Sequence, residues 1–117
     1  MKYVNQLKYF NSKDTKLSKS RLNVLFLDWI MYEYGVGHCQ NGFYLGWDGK
    51  GQENAEDCKN VCIGEPQCTF AAFFDDGYKK GCARYEAETC QLVASTDEQK
   101  AHKTFLKKGL YTTINIL

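Results

Sequence analysis

The sequence has no long hydrophobic run. Its longest apolar stretch, residues 24–31, reads VLFLDWIM, so it is interrupted by Asp28, and Glu33 follows shortly after it. A helix that crosses a bilayer needs about 20 predominantly apolar residues. The sequence therefore predicts no transmembrane segment.

The chain also lacks an excess of charge of either sign. Its formal net charge is +1, but the charge is unevenly distributed. Residues 1–22 contain six basic residues against Asp14 alone, whereas residues 39–108 contain nine basic and eleven acidic residues and carry a net −2. Nucleic-acid-binding domains present a basic surface to phosphate groups. We therefore expect no nucleic-acid partner.

Patterns typical of metal and catalytic sites are missing as well. His38 and His102 are isolated in the sequence, and we expect two surface histidines. No Cys-x2-Cys pair of the kind that binds zinc is present. Asp75-Asp76-Gly77 lacks the regularly spaced oxygen ligands of a calcium loop. Since cysteines that are all paired leave no thiolate nucleophile, we expect no metal, no cofactor, no catalytic residue and no enzyme activity.

The sequence does contain six cysteines, and all lie between Cys39 and Cys90. The part from residue 39 to 108 spans only about 70 residues, a size at which a hydrophobic core alone gives marginal stability. A dense, even set of cysteines in such a short chain is typical of disulfides formed outside the cytosol. We therefore predict three disulfides and a secreted, extracellular protein.

Composition divides the chain into three parts. Residues 1–36 are predicted to be a basic segment that is leader-like or disordered and contains a short amphipathic helix. Residues 37–108 are predicted to form a folded module, and residues 109–117 a tail. The module thus holds all six cysteines.

The apolar residues of the first part allow two interpretations. Leu22, Leu25, Phe26 and Trp29 recur at the spacing of an amphipathic helix over residues 22–34. The same stretch, preceded by basic residues, is similar to the apolar part of a secretory leader. A charge within the apolar stretch and a long polar start are atypical of a leader. Both interpretations stay open.

Capping residues predict one helix inside the module. Asn54 is a good N-cap, and the acidic Asp57 at the third helical position suits the positive end of the helix dipole. At the other end Gly64 supplies a left-handed residue, and Pro66 prevents continuation. The helix is therefore predicted over about residues 55–63.

Strands are predicted where apolar and aromatic residues run together between turn residues. Asp75-Asp76-Gly77 is typical of a hairpin turn, with glycine available for a positive φ. The predicted strands are residues 43–47, 68–74, 81–85 and 104–107. Helix and strands together predict a small α+β fold.

Six cysteines can pair in many ways, and geometry removes several of them. Cys58 and Cys62 lie on one face of the predicted helix, so a bond between them would distort it. Cys62 leaves the helix where the chain turns back to Cys68, and Cys58 then faces the strand that carries Cys82. We predict the pairs Cys39–Cys90, Cys58–Cys82 and Cys62–Cys68.

The run from Asn54 to Phe73, NAEDCKNVCIGEPQCTFAAF, resembles the helix and following strand of the PAN/apple domain family. GCARY at 81–85 resembles the family's next cysteine-bearing strand, and TFLK at 104–107 its closing strand. The resemblance covers about residues 39–108 and implies a disulfide-stabilised antiparallel sheet curled around one helix. In the family the outermost cysteine pairs near the end of the last strand, whereas here that strand has no cysteine.

Aromatic residues exceed what one small core can hold, so some are expected at the surface. Exposed Trp and Tyr side chains can stack on sugar rings or anchor a protein partner, and neighbouring cations can bind carboxylates or sulfates. The candidate ligand-binding residues are Tyr44, Trp47, Tyr78, Lys79, Lys80, Arg84 and Tyr85.

The resemblance implies a secreted, non-enzymatic adhesion module that binds an extracellular glycan or protein through one face of its sheet. Two alternatives stay open: a secreted cysteine-rich defence or venom polypeptide that acts on membranes or channels, and a structural component of the extracellular matrix. The −2 charge of residues 39–108 argues against the first alternative. The sequence leaves open the ligand, the mature ends and the oligomeric state, and an oligomer would add avidity.

Overall fold

The computed structural model describes residues 3–11, 23–93 and 102–116. In this part of the chain the fold is small and α+β, with one helix, five strands in a hydrogen-bonded antiparallel order, and three disulfides. No helix of the described ranges is long and apolar enough to cross a membrane. The elements in chain order are β1 Tyr3–Asn11, β2 Asn23–Val36, β3 His38–Cys39, β4 Phe43–Leu45, α1 Ala55–Gly64, β5 Phe70–Asp75, β6 Lys80–Tyr85, β7 Leu92–Val93 and β8 Lys103–Ile116.

The chain forms two compact units. Met31–Lys107 is one unit, and Met1–Ile30 with Lys108–Leu117 is the other. The smaller unit contains β1 and the second part of β8, whereas the larger unit contains all six cysteines and α1.

In the smaller unit, β1 pairs antiparallel with β8 from Tyr3 opposite Ile116 to Asn11 opposite Lys108. Residues 3–11, which composition assigns to a leader-like or disordered segment, therefore form a strand, because β8 offers them a backbone partner. Most of the predicted tail likewise belongs to β8. Residues 1–2 and 12–22 of the predicted segment lie outside the described residues.

Strand β2 corrects the prediction of an amphipathic helix over residues 22–34. The backbone is extended over Asn23–Val36, and β2 pairs with β8. The apolar residues of this stretch fit helical spacing, but they run consecutively through Leu25, Phe26 and Leu27, so they fit a strand equally well. The strand forms because aromatic and β-branched side chains favour extended backbone once a partner strand is present.

The sheet of the larger unit is built on a hairpin of β5 and β6. Their register runs from Phe70 opposite Tyr85 to Asp75 opposite Lys80. On its other edge β5 pairs with the first part of β8, and β6 pairs on its other edge with β4. Within the larger unit the hydrogen-bonded order is β8-β5-β6-β4, and β3 and β7 form a separate two-stranded ladder.

Strand β5 is buried on both faces, because successive side chains of a strand point to opposite sides. Phe70 and Ala72 belong to one core cluster, together with Tyr85 and the Cys39–Cys90 pair. Ala71 belongs to a second cluster, which otherwise consists of Cys58, Cys62, Cys68 and Cys82. One face of the hairpin therefore packs on the helix cysteines, and the other on the outer disulfide.

The three disulfides are the pairs predicted from the sequence. Cys58–Cys82 joins α1 to β6, and Cys62–Cys68 joins the end of α1 to the chain that enters β5. Cys39–Cys90 links the strand β3 to the residues before β7. Three disulfides in so short a chain indicate folding in an oxidising compartment.

The start of α1 follows its predicted cap. Asn54 Oδ1 accepts a hydrogen bond from the Asp57 N–H at 2.8 Å, which satisfies one of the free amide groups of the first turn. Glu56 and Asp57 place negative charge in that turn, where the helix dipole favours it. The N-terminal cap of α1 at residues 54–57 is therefore predictable from the sequence alone.

The end of α1 differs from its prediction. Gly64 lies inside the helix and is not left-handed, and Glu65 follows in an extended conformation with its N–H donating to Cys62 O at 3.2 Å. The ammonium of Lys107, on β8, donates to the carbonyls of Cys62 and Glu65 at 3.1 and 2.9 Å. A left-handed glycine is not needed because Lys107 satisfies the free carbonyls of the last turn.

Candidate functional site

Four of the seven candidate ligand-binding residues meet at one surface groove of the larger unit. The groove has a volume of about 440 Å³. Its lining combines aromatic rings with charged groups and consists of Trp47, Glu53, Phe74, Tyr78, Lys79 and Lys80. We call this surface the aromatic groove.

The turn between β5 and β6 holds Tyr78 and Lys79 at the groove. Asp76 Oδ1 accepts hydrogen bonds from the N–H groups of Tyr78 and Lys79 at 2.8 and 2.6 Å, and these bonds lower the pKa of Asp76. Asp75 Oδ1 accepts the N–H of Gly77 at 2.9 Å, and Gly77 has a φ of 88°, as the hairpin prediction requires. The Tyr78 side chain is 96% exposed on this ordered turn.

The loop that carries Trp47 is anchored through the next residue. Asp48 accepts hydrogen bonds from the Gln52 amide and from the Lys50 N–H, and it forms an ion pair with Arg84 Nη2 at 3.3 Å. Partial burial acts to raise the pKa of Asp48, but the Lys50 hydrogen bond and the Arg84 charge outweigh it and lower that pKa. Trp47 is 47% exposed, and these contacts hold the residue that follows it.

An ion pair connects two parts of the groove lining. Lys80 Nζ lies 3.2 Å from Glu53 Oε2, and both side chains are exposed to solvent. Exposed pairs of this kind contribute about 0–1 kcal/mol to stability. The pair therefore matters less for stability than for placing a donor and an acceptor side by side in the groove.

The structure corrects the placement of Arg84 and Tyr85. The Arg84 side chain is 0% exposed and forms ion pairs with Asp48 at 3.3 Å and with Glu65 at 3.2 Å, while Tyr85 is 4% exposed and packs in the first core cluster. Neither residue is available to a ligand. The signal was present in the sequence, because Arg84 is two residues after Cys82 and so shares the face of β6 that the disulfide buries.

Tyr44 and Glu65 extend this network, and both are partly buried. The Tyr44 hydroxyl donates to Glu65 Oε1 at 2.6 Å, and burial together with this hydrogen bond raises the pKa of Tyr44. Tyr44 thus contacts Glu65 and does not line the aromatic groove. Sequence reasoning missed Glu65 because an acidic residue that follows a helix carries no pattern of its own.

The two histidines are neighbours in the structure, which corrects the expectation of isolated surface residues. The ring centroids of His38 and His102 are 5.3 Å apart, and His102 is 8% exposed. The ring of Phe74, which lines the aromatic groove, lies 4.6 Å from that of His102. Among the described residues no cluster of three or more His, Cys, Asp or Glu side chains is arranged to hold a metal ion. His102 thus contacts both His38 and a ring that lines the groove.

Acid is expected to destabilise the larger unit through this pair. Burial and the neighbouring His38 lower the pKa of His102. Because the folded-state pKa lies below the unfolded value of about 6.5, the stabilising contribution of neutral His102 is complete above that value and is lost as the pH falls below it. Urea unfolding at pH 7.5, 6.5 and 5.5 measures the effect.

The matched variant is His102→Phe, which keeps an aromatic ring but cannot be protonated. We expect the wild type to lose more unfolding free energy between pH 7.5 and 5.5 than this variant does. Equal losses in the two proteins would contradict the assignment to His102.

No family model, curated protein or solved structure matches the chain.

Proposed function

We propose that the chain is an extracellular, non-enzymatic binding module of the PAN/apple kind, which holds a glycan or protein ligand in the aromatic groove. The sequence resemblance over residues 39–108 supports this proposal. So does the arrangement of one helix linked to an antiparallel sheet by Cys58–Cys82, with Cys62–Cys68 at the helix end. In this interpretation the sheet curls around α1 and the groove forms at one end of the β5–β6 hairpin.

The observation that carries the proposal is the exposure of Trp47 and Tyr78 in one groove. Large aromatic side chains are costly to leave in water and are frequent anchors of binding sites. Here both are presented by backbone that is already ordered, since Asp76 caps one turn and Asp48 anchors the other loop. Little conformational entropy is lost on contact, so the binding energy of the rings is retained as affinity.

The chemistry of the lining supports binding without catalysis. The six cysteines are all in disulfides, and the charged groups of the groove are the Lys80–Glu53 pair and Lys79. Such groups donate and accept hydrogen bonds and attract charge. The three disulfides support an extracellular setting for this binding.

The test removes both aromatic anchors in the full chain. The double variant Trp47→Ala/Tyr78→Ala is expected to bind its ligand more than about tenfold more weakly than the wild type, because each exposed ring is a candidate hot spot. Binding is measured on a glycan array and by pull-down from extracellular material. The ligand recovered there is then titrated against both proteins.

Phe43→Ala is the matched control. Phe43 is 61% exposed but does not line the aromatic groove, so this variant is expected to bind like the wild type. No ligand in either screen, or equal binding by the double variant and the control, would overturn the proposed function.

A further inference from the structure

We propose that His38 and His102 form a pH-sensitive contact, which fixes one wall of the aromatic groove at neutral pH and releases it in mild acid. The contact lies within the larger unit. It reaches the groove through Phe74, a lining residue whose ring is 4.6 Å from that of His102. The change in the wall needs no ligand, so it can be measured apart from the proposed binding function.

Backbone hydrogen bonds hold the two histidines side by side. The N–H of Gly37 donates to the carbonyl of His102 at 2.7 Å, and the Thr104 hydroxyl donates to the carbonyl of Gly37 at 2.5 Å. The residue after His38 is a disulfide-bonded cysteine. The backbone around both histidines is therefore fixed, and a change in charge acts on the two rings, whose centroids are 5.3 Å apart.

The surroundings of the pair favour neutral rings. His102 is 8% exposed, and Nδ1 of His38 is buried with no hydrogen-bond partner among the described residues. In a charged histidine both ring nitrogens are donors, so a proton on this Nδ1 would be a buried donor without an acceptor. Two charged rings at this distance would also repel each other. Burial and His38 accordingly lower the pKa of His102.

The charged side chains on the elements around the pair are engaged elsewhere. They are Glu33 on β2, Asp75 on β5, Lys80 on β6 and Lys103 on β8. Glu33 and Lys103 form an exposed ion pair at 3.0 Å, Lys80 is paired with Glu53, and Asp75 accepts an N–H of its own turn. Strand β7, the ladder partner of β3, carries no charge. Within the described residues, burial and His38 are therefore what lower the pKa of His102.

Phe74 connects the histidine pair to the groove. Its ring packs against His102 and lines the groove together with Trp47 and Tyr78. On the neighbouring strand, a Cβ at Gly81 would collide with this ring, so the ring passes close to the backbone of β6. When His102 gains a proton, its ring turns toward solvent to regain hydration. Phe74 then loses a contact that holds it, and the wall of the groove moves.

The direction of the effect follows from the lowered pKa of His102. The neutral pair is complete above the ordinary histidine pKa of about 6.5, and it is lost as the pH falls through the lower folded-state pKa. The wall is therefore fixed at neutral pH and released on acidification. A ligand held in the groove would bind more weakly in an acidified compartment.

The experiment follows the full chain by NMR from pH 7.5 to about pH 5 without ligand, a range that brackets the ordinary histidine pKa. The imidazole signals report protonation, and the Trp47 indole N–H with the ring signals of Phe74 and Tyr78 report the groove. We expect the groove signals to shift with the midpoint of His102. The amide signal of the core residue Ala71 is expected to stay in place, which separates this change from unfolding.

His102→Phe and His38→Gln separate charge from packing. His102→Phe keeps an aromatic ring beside Phe74 and is expected to abolish the groove shifts. His38→Gln removes the neighbouring charge and is expected to move the midpoint of His102, and the groove shifts with it, to higher pH. Glu33→Gln is the control, because it removes an exposed carboxylate of the adjoining ion pair and should leave the midpoint unchanged.

Two outcomes would overturn the inference. The first is a set of groove signals that stays constant while both histidines titrate. The second is a set of groove shifts that persists unchanged in His102→Phe. Neither outcome touches the proposed binding function, which the comparison of Trp47→Ala/Tyr78→Ala with Phe43→Ala tests separately.

Discussion

Replacing Cys58 and Cys82 together by alanine is expected to lower the free energy of unfolding substantially. The bond closes a loop with a sequence separation of 24 residues, for which the chain-entropy estimate is about 3.5 kcal/mol. Both sulfur atoms also lie fully buried in the second core cluster, so their removal leaves a poorly packed contact between α1 and β6. Guanidinium unfolding followed by far-UV circular dichroism measures the change.

Cys62→Ala/Cys68→Ala is the matched comparison, because those sulfur atoms lie in the same cluster. Its loop has a separation of only 6 residues, and the same estimate gives about 2.4 kcal/mol. We expect the Cys58/Cys82 variant to be the less stable of the two. The reverse order would show that the link between helix and sheet is not the main constraint on the fold.

Arg84→Met is expected to lower the free energy of unfolding by about 3 kcal/mol. The Arg84 side chain is fully buried, and its loss leaves the Glu65 carboxylate without its cation. Arg84 Nε and Nη1 have no hydrogen-bond partner among the described residues, so the loss belongs at the lower end of the range for a broken buried pair. The readouts are urea unfolding and the NMR signal of the Trp47 indole N–H.

The indole signal separates support of the groove from general stability. Arg84 binds Asp48, the residue after Trp47, so under native conditions the variant is expected to shift and broaden that signal. Lys103→Met serves as the control, because it removes a cation from an exposed pair with Glu33 at 3.0 Å and should cost less than about 1 kcal/mol. Equal losses in the two variants would mean that burial does not govern the role of Arg84.

Local signals predicted the parts of the fold that depend on neighbouring residues. The cap at Asn54 and the turn at Gly77 follow from side chains within a few positions, and both appear in the structure. The pairs Cys58–Cys82 and Cys62–Cys68 follow from the helical spacing of Cys58 and Cys62, and Cys39–Cys90 is the pair that remains. The coarse α+β class was therefore readable from the sequence.

The mistaken predictions depend on contacts between distant residues. The apolar residues of β2 fit a helix until β8 is present as a partner, and β8 lies some 80 positions later in the chain. Gly64 stays helical because Lys107 binds the carbonyls at the helix end. The sequence around residue 64 does not predict this contact with Lys107.

The sequence predicted only part of the candidate site. Exposed Tyr78 and its neighbours Lys79 and Lys80 sit at a turn that the sequence marks clearly. Arg84 was misplaced because its charge suggested the surface, whereas the alternation of β6 places it on the face of Cys82. In a two-sided sheet, alternation decides position more reliably than residue polarity does.

The bond from Lys107 to the end of α1 bears on the order in which the protein forms during synthesis. The last turn of α1 contains no basic residue of its own. Lys107, whose ammonium group binds the carbonyls of that turn, is synthesised 43 positions after Gly64. On the ribosome Cys62 and Cys68 therefore emerge, and can oxidise, before the group that completes their helix exists. The nascent chain acquires its final helix end only when its closing strand is in place.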